Sequence, residues 1–393
     1  MVSHWILPDG IEQTLYIHLF FPIYLPDICY LIYMVNYSSL WNKTVGAEEV
    51  YKDIAHSKSL VRILSAMLIY STFLTIFNQC DGFIDILFGG QWFTYCGLLY
   101  LLYPMNKRMI ENTKFIIIPT LIILCLEVIL FSLGILTYTV DLGSQQYGGV
   151  TRISTTIGAA TGTAVILCFI GAMVLSLYNI KATYKLILGI LSSVAIFFTA
   201  SRGSSAVWLL YIGVYIYANY IYKSKLSKKI SISMLAICGV LILNQFGVFD
   251  PLLDRQSQLS AESNLLTSRD ELVDRAMVVA RNSNYIGVGQ AQVNRCKGLT
   301  EYVSSDNIVG VHNYYICTLA ENGIMGLLLL IVFVLVMLKH LNYKNSLSFL
   351  IVLIFLVTFN TEPVFSYEEF CAPVFLIIMT CLKRNESTLY NNA

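Results

Sequence analysis

Apolar runs of roughly 20 residues recur along almost the whole chain, separated by short polar turns. About 20 apolar residues is the length an α-helix needs to cross the hydrocarbon core of a bilayer. The pattern predicts spans near 15–37, 60–78, 83–103, 115–137, 153–176, 185–200, 204–222, 230–247, 313–338, 346–361 and 370–382, eleven in all. The first is interrupted by Pro22, Pro26 and Asp27, so the expected count runs from ten to twelve. One polar stretch stands apart, 248–311, too long for a turn between helices. The expected fold is therefore all-α, a polytopic transmembrane helical bundle with one large extracytoplasmic loop that contains short helices. Residues 1–247 hold helices one to eight, 248–311 the loop, and 312–393 the last three helices with a short cytoplasmic tail.

Composition sharpens this picture. Hydrophobic residues make up 56% of the chain and charged residues 12%, against about 25% charged in soluble domains. No soluble domain is expected at either end, and no internal repeat is visible. No cleavable signal peptide is expected either, since no basic segment precedes the first apolar run. Cysteines such as Cys125, Cys168, Cys238 and Cys381 lie inside apolar runs, where a thiol acts as a small hydrophobe. No CxxC pair or Cys/His spacing suggests a metal.

Charge then orients the chain. Taking 43–62, 104–114, 178–185, 223–229, 339–345 and 383–384 as the cytoplasmic side places 17 of the 25 basic residues inside. This puts the C-terminus in the cytoplasm and, with eleven spans, the N-terminus outside. The type of base is more informative than the number. Fourteen of the 17 inside are lysine, whereas seven of the eight outside are arginine: Arg152, Arg202, Arg255, Arg269, Arg275, Arg281 and Arg295. Arginine's planar fork grips phosphate through two bonds at once. The outer face is thus suited to an anionic, phosphorylated ligand. The competing reading pairs these arginines with the loop's own acids, Asp250, Asp254, Glu262, Asp270, Glu271 and Asp274.

Within the loop, Ser268-Arg-Asp-Glu271 has capping-box spacing and predicts a helix from Arg269 to about Arg281. At 100° per residue, Leu272, Val273, Ala276 and Ala280 fall within about 60° of Arg269. Arg269 then lies on the apolar face, near a helix N-terminus that favours anions, while Arg275 and Arg281 belong to a solvated face. Arg202 sits in Thr199-Ala-Ser-Arg-Gly203, a tight re-entry between two apolar runs; the alternative is an arginine snorkelling at the interface. Arg152 opens the fifth span, ahead of a Gly158-xxx-Gly162 packing signal. His312 stands where the loop meets a helix, and a histidine there is either a polar boundary residue or a group able to take a proton near neutral pH. In a continuous helix Glu321 would lie about 180° from it, and a break near Gly323 would change that. Glu127 is an acid in mid-span, read as a buried hydrogen-bonded residue. Gly287 and Gly289 predict a turn that allows close backbone approach. The chain has no phosphate loop for a nucleotide and no D-x-D pair to hold a metal on a nucleotide sugar. The reacting molecule is then pre-activated and lipid-borne.

Taken together, Thr151-Arg-Ile-Ser-Thr-Thr-Ile-Gly158, Ser201-Arg-Gly203, Arg269 followed by Ile286-Gly-Val-Gly289, and His312-Asn-x-Tyr-x-x-x-Leu-Ala-Glu-x-Gly323 resemble bacterial O-antigen polymerases (Wzy-type) and O-antigen ligases, over about 150–340. The resemblance implies a multi-helix membrane glycosyltransferase that works without metal or other cofactor on glycans carried by undecaprenyl diphosphate. It implies His312 as the base, and Arg202 and Arg269, with Arg152, as the groups that hold the diphosphate. Asn313, Tyr315, Glu321, Gly287 and Gly289 would support the site. The family's Pro-Asn pair after the first outer arginine is here replaced by Ala159-Ala160-Thr161-Gly162. The implied partners are lipid-linked glycan as both donor and acceptor, membrane lipid, and a chain-length regulator protein, with no nucleotide or nucleic acid. The implied location is the bacterial inner membrane. A polymerase of repeat units, a ligase of finished glycan, and a transporter of lipid-linked sugar all remain open at this point.

Overall fold

The computed structural model describes residues 47–78, 91–102, 107–136, 144–147, 150–153, 155, 160–222, 265–290, 293, 313–343, 345–361 and 368–382. The expected spans near 15–37 and 230–247 lie outside them. The helices are α1 (Ala47–Asn78), α2 (Trp92–Leu102), α3 (Lys107–Asn112), α4 (Lys114–Ser132), α5 (Ala160–Ser176), α6 (Ala182–Phe198), α7 (Arg202–Ile216), α8 (Leu265–Asn282), α9 (Tyr314–His340), α10 (Ser346–Leu353) and α11 (Glu368–Cys381). A π-helical turn follows α7 over Tyr217–Ile221, and another follows α10 over Ile354–Thr358. Among the described residues the fold is all-α apart from one short hairpin, β1 (Ser144–Tyr147) and β2 (Val150–Ile153), paired antiparallel with Arg152 opposite Gln145.

Among the described residues, three segments are long and apolar enough to cross a membrane: Lys58–Asn78, Ile110–Ser132 and Tyr314–His340. Shorter apolar helices pack between them, including Ala160–Ser176, Ala182–Phe198 and Ser346–Thr358. Ile69, Phe73 and Phe77 of α1, Phe115 and Ile116 of α4, and Leu328 and Leu335 of α9 are exposed. So large an apolar surface suits lipid rather than water, and the chain is an integral membrane protein.

Helix α5 is the centre of the bundle. Every residue from Thr163 to Leu175 is buried, as expected for a helix apolar on all sides. Around it pack α4, α6, α7, α10 and α11. A second seam joins α1, α2, α9 and α11. Phe93 of α2 meets the rings of Phe333 and Tyr314 in α9 at 5.4 and 6.2 Å, and that of Phe375 in α11 at 5.2 Å. One turn along α2, a Cβ on Gly97 would meet Leu64 and Phe375 at 2.6 and 2.7 Å. A small residue here brings three helices together, the usual device in a membrane where burial of apolar surface favours neither partner.

Side-chain contacts define two ends. At one, Asn313 Nδ2 donates to Asn360 Oδ1 at 3.2 Å, and Tyr314 and Tyr315 stack near Phe359. At the other, Ser176 joins the hydroxyls of Tyr211 and Ser346, and the Asn342 amide donates to the Cys381 carbonyl at 2.6 Å. Helix α7 therefore begins at the Asn313 end, nine residues before Tyr211, and α5 begins there as well.

Two elements differ from the sequence pattern. The segment expected to open a span at Arg152 is strand β2, and α5 starts only at Ala160. The alternation Val150-Thr-Arg-Ile153 after a Gly148-Gly149 pair is a hairpin signature, and it outweighs the apolar average that suggested helix. Helix α1 begins at Ala47, well before the apolar run. The start of a helix is set by backbone hydrogen bonding, whereas hydropathy marks only the part that lipid can hold.

Candidate functional site

The Asn313 end is built around an interrupted helix. α9 breaks at Gly323, whose backbone sits at φ 62° and ψ −169°. The interruption is filled by the chain leaving α8. The Ile324 amide donates to the Tyr285 carbonyl at 2.9 Å, the Val288 amide to Ala320 at 3.3 Å, and the Gly289 amide to Glu321 at 2.7 Å. Non-helical backbone at membrane depth is tolerated only where protein satisfies it, and here residues 285–289 do so. Three glycines make the contact possible. A Cβ on Gly287, at φ +98°, would lie 2.5 Å from the Glu321 oxygen; one on Gly289, at φ +102°, would lie 2.8 Å from Thr75 Cα; and one on Gly323 would fall on the carbonyls of Tyr285 and Ile286.

Helix α1 grips the same segment from the other side. Tyr70 Oη donates to the Ile286 carbonyl at 3.0 Å, Asn78 Nδ2 to Gly287 at 3.4 Å, and the Gln290 amide to Thr75 Oγ1 at 3.2 Å. Asn322 Nδ2 donates to Gln290 Oε1 at 2.9 Å. None of these α1 residues was legible as part of the site, because the partners lie more than 200 positions apart.

The loop helix α8 lies against the first turns of α9. Ala276, Val279 and Ala280 form a buried cluster with Val288, Val293, Cys317 and Ala320, with Ile316 and Leu319 packed against it. Asp274 and Arg281 are exposed, and Arg275 is half-buried. The observed helix starts at Leu265, so Arg269 falls on its second turn. Arg202 is the first residue of α7, exposed, after the turn Thr199-Ala-Ser201. That turn joins α6 to α7 in three residues, and Ala200 takes a left-handed conformation (φ 53°) while fully buried. No side chain caps α7: Ser201 Oγ donates instead to Ser204 Oγ at 3.1 Å. The first-turn amides of α7 thus accompany Arg202 at a helix end that favours negative charge.

His312 lies outside the described residues. It directly precedes Asn313, which is the N-cap of α9 and whose Oδ1 accepts from the Ile316 amide at 3.0 Å. Asn313 and Tyr315 have structural employment. Tyr315 Oη donates to the Phe355 carbonyl at 2.8 Å, at the π-helical turn. Glu321 is buried, one helical turn beyond Cys317. The break at Gly323 comes after Glu321, so residues 314–322 form one helical segment. Arg152 sits in β2, and Thr155 beyond it bonds Thr163 of α5 at 2.8 Å. Positions 152, 202 and 313 therefore lie at one end of the bundle, and α8 packs beside the same turns of α9. Glu127 is buried in α4. Among the described residues, no three His, Cys, Asp or Glu side chains gather as metal ligands would.

Apolar helices with one interrupted member, its break filled by residues 285–289, define an integral membrane scaffold. Residues 187–331 match the family model described as O-antigen ligase. The match covers less than half of the chain, and over that segment the chain is similar to this family. No curated protein matches it.

Proposed function

We propose that this protein is a polymerase of surface polysaccharide, joining undecaprenyl-diphosphate-linked oligosaccharide repeat units at the outer face of the bacterial inner membrane. The observation that carries the reading is the extent of the family match: residues 187–331 take in Arg202, Arg269 and His312 together. In this mechanism the donor and the acceptor are both lipid-linked glycans. His312 removes the proton of an acceptor hydroxyl as that oxygen attacks the anomeric carbon of the donor. The bond from that carbon to the diphosphate breaks, and the electron pair leaves with the lipid diphosphate. Arg202 and Arg269, with Arg152, hold the leaving group where its charge develops. No metal or other cofactor takes part. The loop 248–311 faces outward, the C-terminus is cytoplasmic, and a chain-length regulator is a natural partner.

A general base contributes about 10²–10⁴-fold to rate. His312→Ala is therefore expected to abolish chain extension while leaving the protein inserted, scored by the length distribution of surface polysaccharide. Polymer of normal length in cells carrying only that variant removes His312 from the mechanism.

The description of the matching family favours a second reading, a ligase that moves finished glycan to a lipid A core or another acceptor. Gene deletion separates the two. Single repeat units on the final acceptor mark a polymerase, and long unligated chains mark a ligase. A transporter of lipid-linked sugar is excluded if purified protein in detergent elongates synthetic lipid-linked repeats.

A further inference from the structure

Beneath the Asn313 end, between α1, α2 and the first half of α9, lies a small cavity lined by apolar side chains such as Met67 and Phe93 and by polar ones, among them Ser71, Gln91 and Asn322. Three of the lining residues carry a buried side-chain oxygen with no hydrogen-bond partner among the described residues: Ser71 Oγ, Gln91 Oε1 and Asn322 Oδ1. All three residues are more than nine-tenths buried, at 5%, 3% and 8% exposure. A buried polar atom without a partner costs about 1–3 kcal/mol, so three converging on one space call for an occupant.

The neighbouring bonds narrow its chemistry. Gln91 Nε2 donates to Thr72 at 3.1 Å, and Asn322 Nδ2 donates to Gln290 at 2.9 Å, so the wholly unpartnered atom of each amide is its carbonyl oxygen. Thr94 and Thr318 spend their hydroxyl protons on the carbonyls of Gln91 and Tyr314. The wholly unpartnered atoms facing this space are thus two carbonyl oxygens, which accept, and one hydroxyl able to donate. The space open to the centre of a water-sized molecule is ≈ 20 Å³, sufficient for a water and too small for a sugar ring.

We propose that this cavity is a structural water site: one water donates to Gln91 Oε1 and Asn322 Oδ1 and accepts the Ser71 hydroxyl proton. It uses both protons and a lone pair, the roughly three bonds usual for buried water. The site ties α1, α2 and the half-helix 314–322 together next to the break at Gly323. It does not depend on the proposed reaction.

The direct test is a structure of the full-length protein in lipid nanodiscs at a resolution that shows waters. An isolated density peak within hydrogen-bond distance of all three oxygens is expected. A map without it, or with the three side chains bonded to one another, overturns the proposal. The second test is a thermal-melting cycle on Ser71→Ala and Gln91→Leu in detergent. Each variant is expected to melt lower than the parent, and the double variant about as low as the worse single one, because either change disrupts the shared water. Fully additive losses count against it. A melting temperature that rises with sodium but not with choline would assign the cavity to a cation and would likewise overturn the reading.

Discussion

Replacing Gly323 by alanine puts a methyl group into the tightest backbone contact at the Asn313 end. At φ 62° and ψ −169° the residue occupies a region open in practice only to glycine, and a side chain there costs about 1–3 kcal/mol. The new Cβ would also strike the Tyr285 and Ile286 carbonyls. Relief requires residues 285–289 to withdraw, which gives up the bonds Ile324–Tyr285, Val288–Ala320 and Gly289–Glu321. Each buried partner left unsatisfied costs about 1–3 kcal/mol. The sum is roughly 4–12 kcal/mol, comparable with the whole stability of a typical fold at about 5–15 kcal/mol. The assay is recovery of monodisperse full-length protein from detergent after stepwise heating. Gly213→Ala is the control, since a Cβ at Gly213 in α7 meets nothing within 4 Å. Alanine there is expected to be neutral or to stabilise by about 0.5–1 kcal/mol. Gly323→Ala should yield little folded protein or melt far below the control. Equal melting of the two variants would refute the account of the filled break.

Three further outcomes follow from the same geometry. Ala200→Val adds a β-branched side chain at φ 53° in a fully buried turn; a loss of several kcal/mol, roughly 2–5, should appear as reduced yield and a lower melting temperature. Phe93→Ala removes the ring shared by α9 and α11, and a drop of about 3–5 kcal/mol is expected in the same melt. Arg269→Lys keeps the charge of α8 but not the fork. Chain extension should fail while the melting temperature holds, and unchanged activity would reduce Arg269 to charge balance.

Part of the backbone arrangement at the Asn313 end could be read in advance, and the rest could not, for identifiable reasons. Gly287 and Gly289 announced a close backbone approach, because that signal is local; the capping-box spacing at Ser268-Arg-Asp-Glu271 announced the helix but put its start four residues late, since α8 already begins at Leu265. Gly323 could be named as a possible break, but not the segment that fills it. That segment is held by Tyr70, Thr75 and Asn78, ordinary polar residues of an apolar run, whose roles exist only once α1 lies beside α9. The left-handed Ala200 was equally silent, since alanine carries no preference for that conformation; the surrounding helices impose it. Asn313 and Tyr315 entered as supports of the chemistry and are occupied in capping α9 and anchoring it to the turn after α10.

The amino-acid order alone determined that this chain is a set of membrane helices with one polar excursion. Whether a segment can enter a bilayer depends on its own length and hydropathy, which is local information. It could not distinguish α5, buried on every side, from α4, half facing outward, because lipid and protein interior are equally apolar. Tertiary packing decided that, together with the order of helices around the centre and the carbonyls that meet at the break. Those choices rest on shape, small residues and hydrogen bonds between parts of the chain that share no local pattern.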